Sequence, residues 1–271
     1  MRKRITLFIL AFTLMQAGAV RAQCTFLNPA FDGGEYLAYN LYYNWKFVWV
    51  KAGTASFSIV STTHKGQPAY RGSLVTRGSD RADEYFVMRD TLLAYCSKQL
   101  VPLYYRKGAR EGKRYYVDEV FYSYADGETI LNQHALTSKG EHKCYRQTSD
   151  KCVYDMLNMF LRARSFNPSG WNKGPRLEFP LADGDNIDTA CLRYNGKTTI
   201  KADNGKRYRC LELSYLEYEK NKWKEIVRFY VTDDQNHIPI RLDMFLRFGS
   251  AKAFLTGMKG AKNPIAAEVT E

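Results

Sequence analysis

The stretch GEYLAYNLYYNWKFVWVKAG, residues 34–53, carries seven aromatic rings in twenty positions. Leu37, Tyr39, Leu41, Tyr43, Trp45, Phe47 and Trp49 share one parity, and Tyr36, Ala38, Asn40, Tyr42, Asn44 and Lys46 share the other. A period of two puts the first set on one side of a β-strand, and that set is the leucine side, which points inward. Fully extended, the stretch would reach about 60 Å at ~3.3 Å per residue, about three times a usual strand. A turn or bulge is therefore expected near Asn44–Lys46. Glu35, Lys46 and the polar side exclude a membrane-spanning segment. Two readings remain, a packed core and a ligand groove, with Tyr39, Tyr43, Trp45 and Trp49 as the groove candidates.

The same alternation runs on into the chain that follows. In Thr54–Val60, Ala55, Phe57 and Ile59 alternate with Thr54, Ser56 and Ser58. Comparable runs occupy 70–76, 84–95, 114–124, 206–219, 222–232 and 237–248. Turn residues separate them at 64–68, 125–127, 203–205 and 233–236. Strands joined by tight turns predict an antiparallel, mostly-β architecture. One segment departs from that rhythm: Val153, Met156, Leu157, Phe160 and Leu161 recur at helical spacing. A helix is expected from Asp150 to Arg164, capped by Ser149 or Asp150 and stopped at Asn167-Pro168. Met156, Leu157 and Phe160 on its apolar stripe join the groove candidates. No repeat or linker interrupts the chain, so residues 23–258 are read as one domain and 259–271 as a loose polar tail.

The start of the sequence, MRKRITLFILAFTLMQAGAVRAQC, has the three parts of a secretory leader: a basic cluster, an apolar run and small residues before a cleavage point after Ala22. Cys24 follows that point, but Arg21, Ala22 and Gln23 do not fit a lipoprotein signal, and lipidation is not expected. No later segment has membrane-spanning length without charge, so the mature chain is expected to be soluble and exported, in the periplasm or at the outer envelope. The formal net charge of +12 is scattered without like-charge runs, which reads as a solvated surface. All six cysteines lie beyond the leader. Proximity suggests Cys144–Cys152 and Cys191–Cys210 as disulfides, with buried free thiols as the alternative.

The residues provide no catalytic motif. The four histidines, His64, His134, His142 and His237, have no metal-binding spacing. The acidic run 182–188 begins like a calcium loop, but Ile187 and Tyr194 break the pattern, so a turn is the better reading. No nucleophile elbow and no phosphate-binding glycine loop occurs. Neither an enzyme nor a cofactor is expected, and export together with scattered charge argues against nucleic acid.

Gly34-Glu35-x-Leu37-x-Tyr39 leading to Ala52-Gly53-x-Ala55, the segment around Asp155-Met156-Leu157 with Leu161-Arg162, and Phe229–Asp234 with Pro239 and Gly249 resemble domain of unknown function 3108, a family of exported proteins with no established activity. The closing pattern is also remotely similar to periplasmic lipoprotein carriers. That resemblance implies a half-open β-barrel with a helical lid over an apolar cavity. The expectation is a mostly-β, single-domain curved antiparallel sheet, half-barrel or sandwich, with one main helix near 150–164. It would bind a lipid or lipoprotein acyl chain in the groove. The alternatives are an envelope interaction module with a filled core and an envelope protein partner, or a glycan binder.

Overall fold

The structure, a computed structural model, describes residues 24–45, 48–168, 170–174, 176–246 and 249–270, without the side chains of Trp45 and Asp183. The leader and Phe47 lie outside the described residues. One antiparallel sheet dominates. Strands β1 (Tyr36–Trp45), β2 (Val48–His64), β3 (Gln67–Gly78), β4 (Met88–Ser97), β5 (Pro102–Glu111), β6 (Arg114–Ala125), β7 (Glu128–Leu136) and β8 (His142–Ser149) form a meander. A one-turn helix α1 (Asp80–Asp83) interrupts it, and helix α2 (Met156–Ala163) ends it.

A second meander comprises β9 (Arg176–Asp183), β10 (Asn186–Lys201), β11 (Arg207–Glu219), β12 (Lys222–Thr232), β13 (Pro239–Phe245) and β14 (Ser250–Lys259). Strand β14 pairs with β1, which joins the two halves into a single sheet bounded by β8 and β9; the short β15 (Glu268–Val269) adds to β11. The sheet curls until its edges approach each other. The Gln147 amide on β8 donates to Asp185 O beside β9, and Tyr154 bridges to Leu181 in parallel.

Turn chemistry explains the meander. Asp126-Gly127 has φ of 52° and 81°, the doubly positive pair whose twist matches two antiparallel strands. Lys220-Asn221 does the same without a glycine, Asn being among the residues that tolerate this region.

The aromatic stretch is a hairpin. Trp45 pairs with Val48, and Asn44 with Trp49. Directly opposed residues share a face, so Trp49 lies on the Asn44 side and not on the Tyr43 side. That corrects the parity expected for Trp49, which is exposed with the Lys252 ammonium 4.2 Å from its ring centre. The expected irregularity is present, with a further bulge where Leu41 and Tyr42 face Gly53 and Lys51. Before it the inward parity is as read: Leu37, Tyr39 and Leu41 are buried.

Helix α2 begins later than its sequence pattern suggested. Its cap is Asp155, which accepts from Leu157 N at 3.0 Å and Asn158 N at 2.8 Å, while 151–154 are not helical. Two bonds hold the preceding residues out of the helix: Cys152 is joined to Cys24 in a disulfide, and Tyr154 N donates to Pro180 O. This disulfide replaces both pairings expected from proximity. Cys144 is free and exposed, Cys191 and Cys210 are free and buried, and burial pushes the Cys210 thiol up to about 12. The Cys24 thiol is thereby engaged in the disulfide.

The tail also differs from expectation. Ala267 is fully buried, β15 pairs with Arg207 and Tyr208, and Asn263 hydrogen-bonds Asn236. Asn236 is the reason: its amide donates to both Asn263 O and Pro264 O.

Candidate functional site

Apolar side chains pack on the concave face of the sheet. Leu37, Phe57, Tyr105, Leu131, Leu157, Ile238 and Leu255, drawn from both meanders and α2, belong to one buried cluster. Phe160 packs edge-on against Phe57 at 5.1 Å and near Phe229 at 6.2 Å, so α2 plugs the curl. Leu161 sits 3.3 Å from where a Cβ on Gly72 would stand, an approach that only a glycine allows without adjustment.

The groove candidates are dispersed in this arrangement. Tyr39 and Leu157 are core residues, the Tyr39 hydroxyl donating to Pro239 O at 3.0 Å. Phe160 is half-buried in the packing just described, Tyr43 is half-buried, and Met156 and Trp49 face solvent. The Trp45 side chain lies outside the described residues. Of the two principal pockets among the described residues, none of the other six candidates lines either. The apolar one, between the end of α2 and β10–β12, has only about 10 Å³ of free space.

Two buried polar networks fix the plug. Arg164, just past α2, grips Glu35 at 2.5 and 2.8 Å and donates to Asn236 O at 2.8 and 3.1 Å. His237 Nδ1 approaches Arg164 O at 2.6 Å, and burial holds its imidazole below the usual histidine range. At the other end of the helix, burial raises the fully enclosed Asp155 carboxyl to about 6, against hydrogen bonds from Asn158 and Tyr122. The buried Asn158 Oδ1 has no hydrogen-bond partner, and with the amide turned it could accept a hydrogen bond from the protonated carboxyl.

This has a pH consequence. A carboxyl whose folded pKa exceeds its unfolded one gives stability that is complete below about pH 4 and is lost as pH rises through about 6. Asp155→Asn keeps the cap and removes the charge. Its stability relative to the parent is expected to rise between pH 4 and 6 by up to about 3 kcal/mol and then level off. Urea denaturation across that range checks it, and a flat difference would contradict the assignment.

The large concavity is on the outer face, a depression of about 630 Å³ lined by Arg89, Thr91, Arg106, Gly108, Arg110, Lys113 and Tyr115. Strand register assembles it. Arg77 stands opposite Arg89 on β3 and β4, Arg89 opposite Arg110 on β4 and β5, and Arg110 opposite Tyr115 on β6. Three arginines thus cross three strands in one row, an arrangement that costs stability because like charges directly opposed repel. Asp83 at the end of α1 pairs with Arg89, and Glu119 lies 3.7 Å from Arg106. Arg110 and Lys113 have no ion-pair partner among the described residues. In the next row Thr91 faces Gly108, whose missing side chain leaves the floor open: a Cβ there would stand 3.0 Å from Arg106 Nη1.

Beyond Arg106, Glu119 accepts from Tyr104 Oη at 2.5 Å and meets His134 Nδ1 at 3.0 Å, while His134 Nε2 meets His142 Nδ1 at 2.9 Å. Burial raises the Glu119 pKa, but these hydrogen bonds and Arg106 outweigh it, so the carboxylate sits below its usual range. No group of three metal-ligating side chains suited to an ion occurs among the described residues. Sequence reasoning missed this site because its cations are scattered along the chain. The available signal was Arg106-x-Gly108-x-Arg110, alternating on one strand face just before a Gly-Lys turn.

Fold and site together define an antiparallel β-sheet protein with a plugged interior and a basic outer face. The chain belongs to the family described as Protein of unknown function (DUF3108), whose model matches residues 38–256. No curated protein matches it. Among solved structures it is similar to a β-barrel-like protein of domain of unknown function DUF1849 from Brucella abortus. The TM-score is 0.54 at 13% identity, covering 88% of this chain and 100% of that one. Lower scores relate it to a Bacteroides fragilis protein described as exported, with a YmcC-like fold (TM-score 0.35, 8% identity, 87% and 100% covered). A Parabacteroides distasonis protein described as a lipoprotein is at a similar distance (TM-score 0.37, 9% identity, 87% and 99% covered).

Proposed function

We propose that this is an exported, non-catalytic envelope protein that binds an anionic ligand on the outer face of its sheet. The observation that carries the reading is the row of opposed arginines opening onto a depression with two unpaired cations. Selection for stability alone would not favour that row, whereas an incoming anion accepts charge-assisted hydrogen bonds from it. The leader-like start and a disulfide between Cys24 and Cys152 support export, because such bonds persist in oxidising compartments. An acyl chain inside the sheet is the weaker reading, since Tyr39, Leu157 and Phe160 already contact protein.

Calorimetric titration with inorganic pyrophosphate tests the proposal. The parent protein is expected to bind, more weakly as salt rises. Arg106→Ala/Arg110→Ala is expected to bind at least about tenfold more weakly, at about 1.5–3 kcal/mol per charged hydrogen bond. Its melting temperature should change little, because relief of the Arg89–Arg110 opposition offsets loss of the Arg106–Glu119 contact. Absence of binding by the parent, or equal binding by the variant, rejects the site. Uptake of a fluorescent fatty acid instead would favour the acyl reading.

A further inference from the structure

The β3–β4 and β5–β6 connections, the start of β2 and the end of β13 lie at one end of the sheet. Antiparallel order places them there; Ser79 N donates to Ala52 O on β2, and Gly112 N donates to Val87 O, joining the two connections. Tips of this kind are ordinarily polar. Here the β3–β4 connection presents Tyr85 at 83% and Phe86 at 55% exposure, the Phe86 ring lying against Gly112 at the rim of the basic depression. Trp49 and Val50 lie near the start of β2, the neighbour of β3, while Phe245 ends β13, beyond β1 and β14, and Leu246 follows it; all four are exposed. Lys51 and Lys252 stand among them, and Arg110 and Lys113 beside Phe86.

We propose that this end of the sheet docks on an anionic lipid bilayer. In that pose the aromatic and aliphatic tips enter the interfacial layer while the depression receives a headgroup phosphate. The inference rests on the anion-binding reading above and names the source of the anion. Charge complementarity selects the bilayer over other occupants. The apolar tips are interleaved with cations, which repel a second copy of this same basic end and attract an anionic surface. Amphipathic aromatic rings and long basic side chains are the residue types that settle where one end is apolar and the other wet.

Co-sedimentation with phosphatidylglycerol/phosphatidylethanolamine vesicles, against pure phosphatidylcholine vesicles, tests it. The protein is expected to bind the first and not the second, and to be released by salt. Tyr85→Ser/Phe86→Ser alters only exposed side chains and is expected to lose vesicle binding at least about tenfold. It should keep both its melting curve and its pyrophosphate titration. Phe245→Ser/Leu246→Ser, on a separate tip, repeats the test should the first variant fold poorly. Arg106→Ala/Arg110→Ala should lose both kinds of binding. Vesicle binding unchanged in both apolar variants, or equal binding to phosphatidylcholine, overturns bilayer docking and leaves the anion site standing. Loss of pyrophosphate binding by the parent overturns both.

Discussion

Arg164→Met is expected to destabilise the protein by about 3–5 kcal/mol, the cost of leaving one partner of a buried ion pair behind. Glu35 is fully enclosed, and both its oxygens are held by the Arg164 guanidinium. The same guanidinium satisfies Asn236 O, and Asn236 in turn holds Asn263 and Pro264. One side chain therefore ties the start of β1, the end of α2, the β12–β13 turn and the C-terminal segment. At about 2–4 °C per kcal/mol for a chain of this size, the melting temperature should fall by about 6–20 °C. The double variant Glu35→Gln/Arg164→Met removes the stranded charge and is expected to be more stable than Arg164→Met alone. Equal or lower stability of the double variant would contradict this account of the pair. Chemical denaturation of the two single variants and the double variant makes the comparison.

Leu157→Asp is the second large effect. Leu157 is 2% exposed in the main core cluster, so the change removes an apolar side chain and puts a carboxyl in its place. Large-to-small losses alone cost about 2–5 kcal/mol there, and the unpaired carboxyl adds to that. Nor is there compensation nearby, because Asp155 already occupies the helix start. Loss of a cooperative thermal transition, or a fall in melting temperature beyond that of Leu157→Ala, is expected. Melting unchanged from the parent would mean that α2 does not plug the sheet.

Much of the fold could be read from periodicity. Residues 222–232 were assigned as a strand and form β12, and Ala55, Phe57 and Ile59 face inward or pack against the core as their alternation implied. Strands with weak alternation give no such signal: β5 mixes Arg106, Lys107, Gly108 and Arg110, and β10 has threonines on both faces. The start of α2 was misplaced because local pattern carries no information about the partner of Cys152, which is 128 residues away. The hairpin after Trp45 resets the parity, so alternation alone does not place Trp49.

The site was less legible than the fold. Arg77, Arg89 and Arg110 are separated by turns and read singly as solvated charges; only the β3–β4–β5 register sets them side by side. The aromatic stretch draws attention inward, where Tyr39 packs in the core, while the candidate chemistry is on the opposite face.

A crystal structure of the protein grown with tungstate, a heavy anion of phosphate shape, tests the central claim most directly. The account predicts tungstate density in the outer depression, within hydrogen-bond reach of Arg106 and Arg110, with only side chains between α2 and the sheet. An empty depression and elongated non-protein density among Tyr39, Leu157 and Phe160 would contradict it.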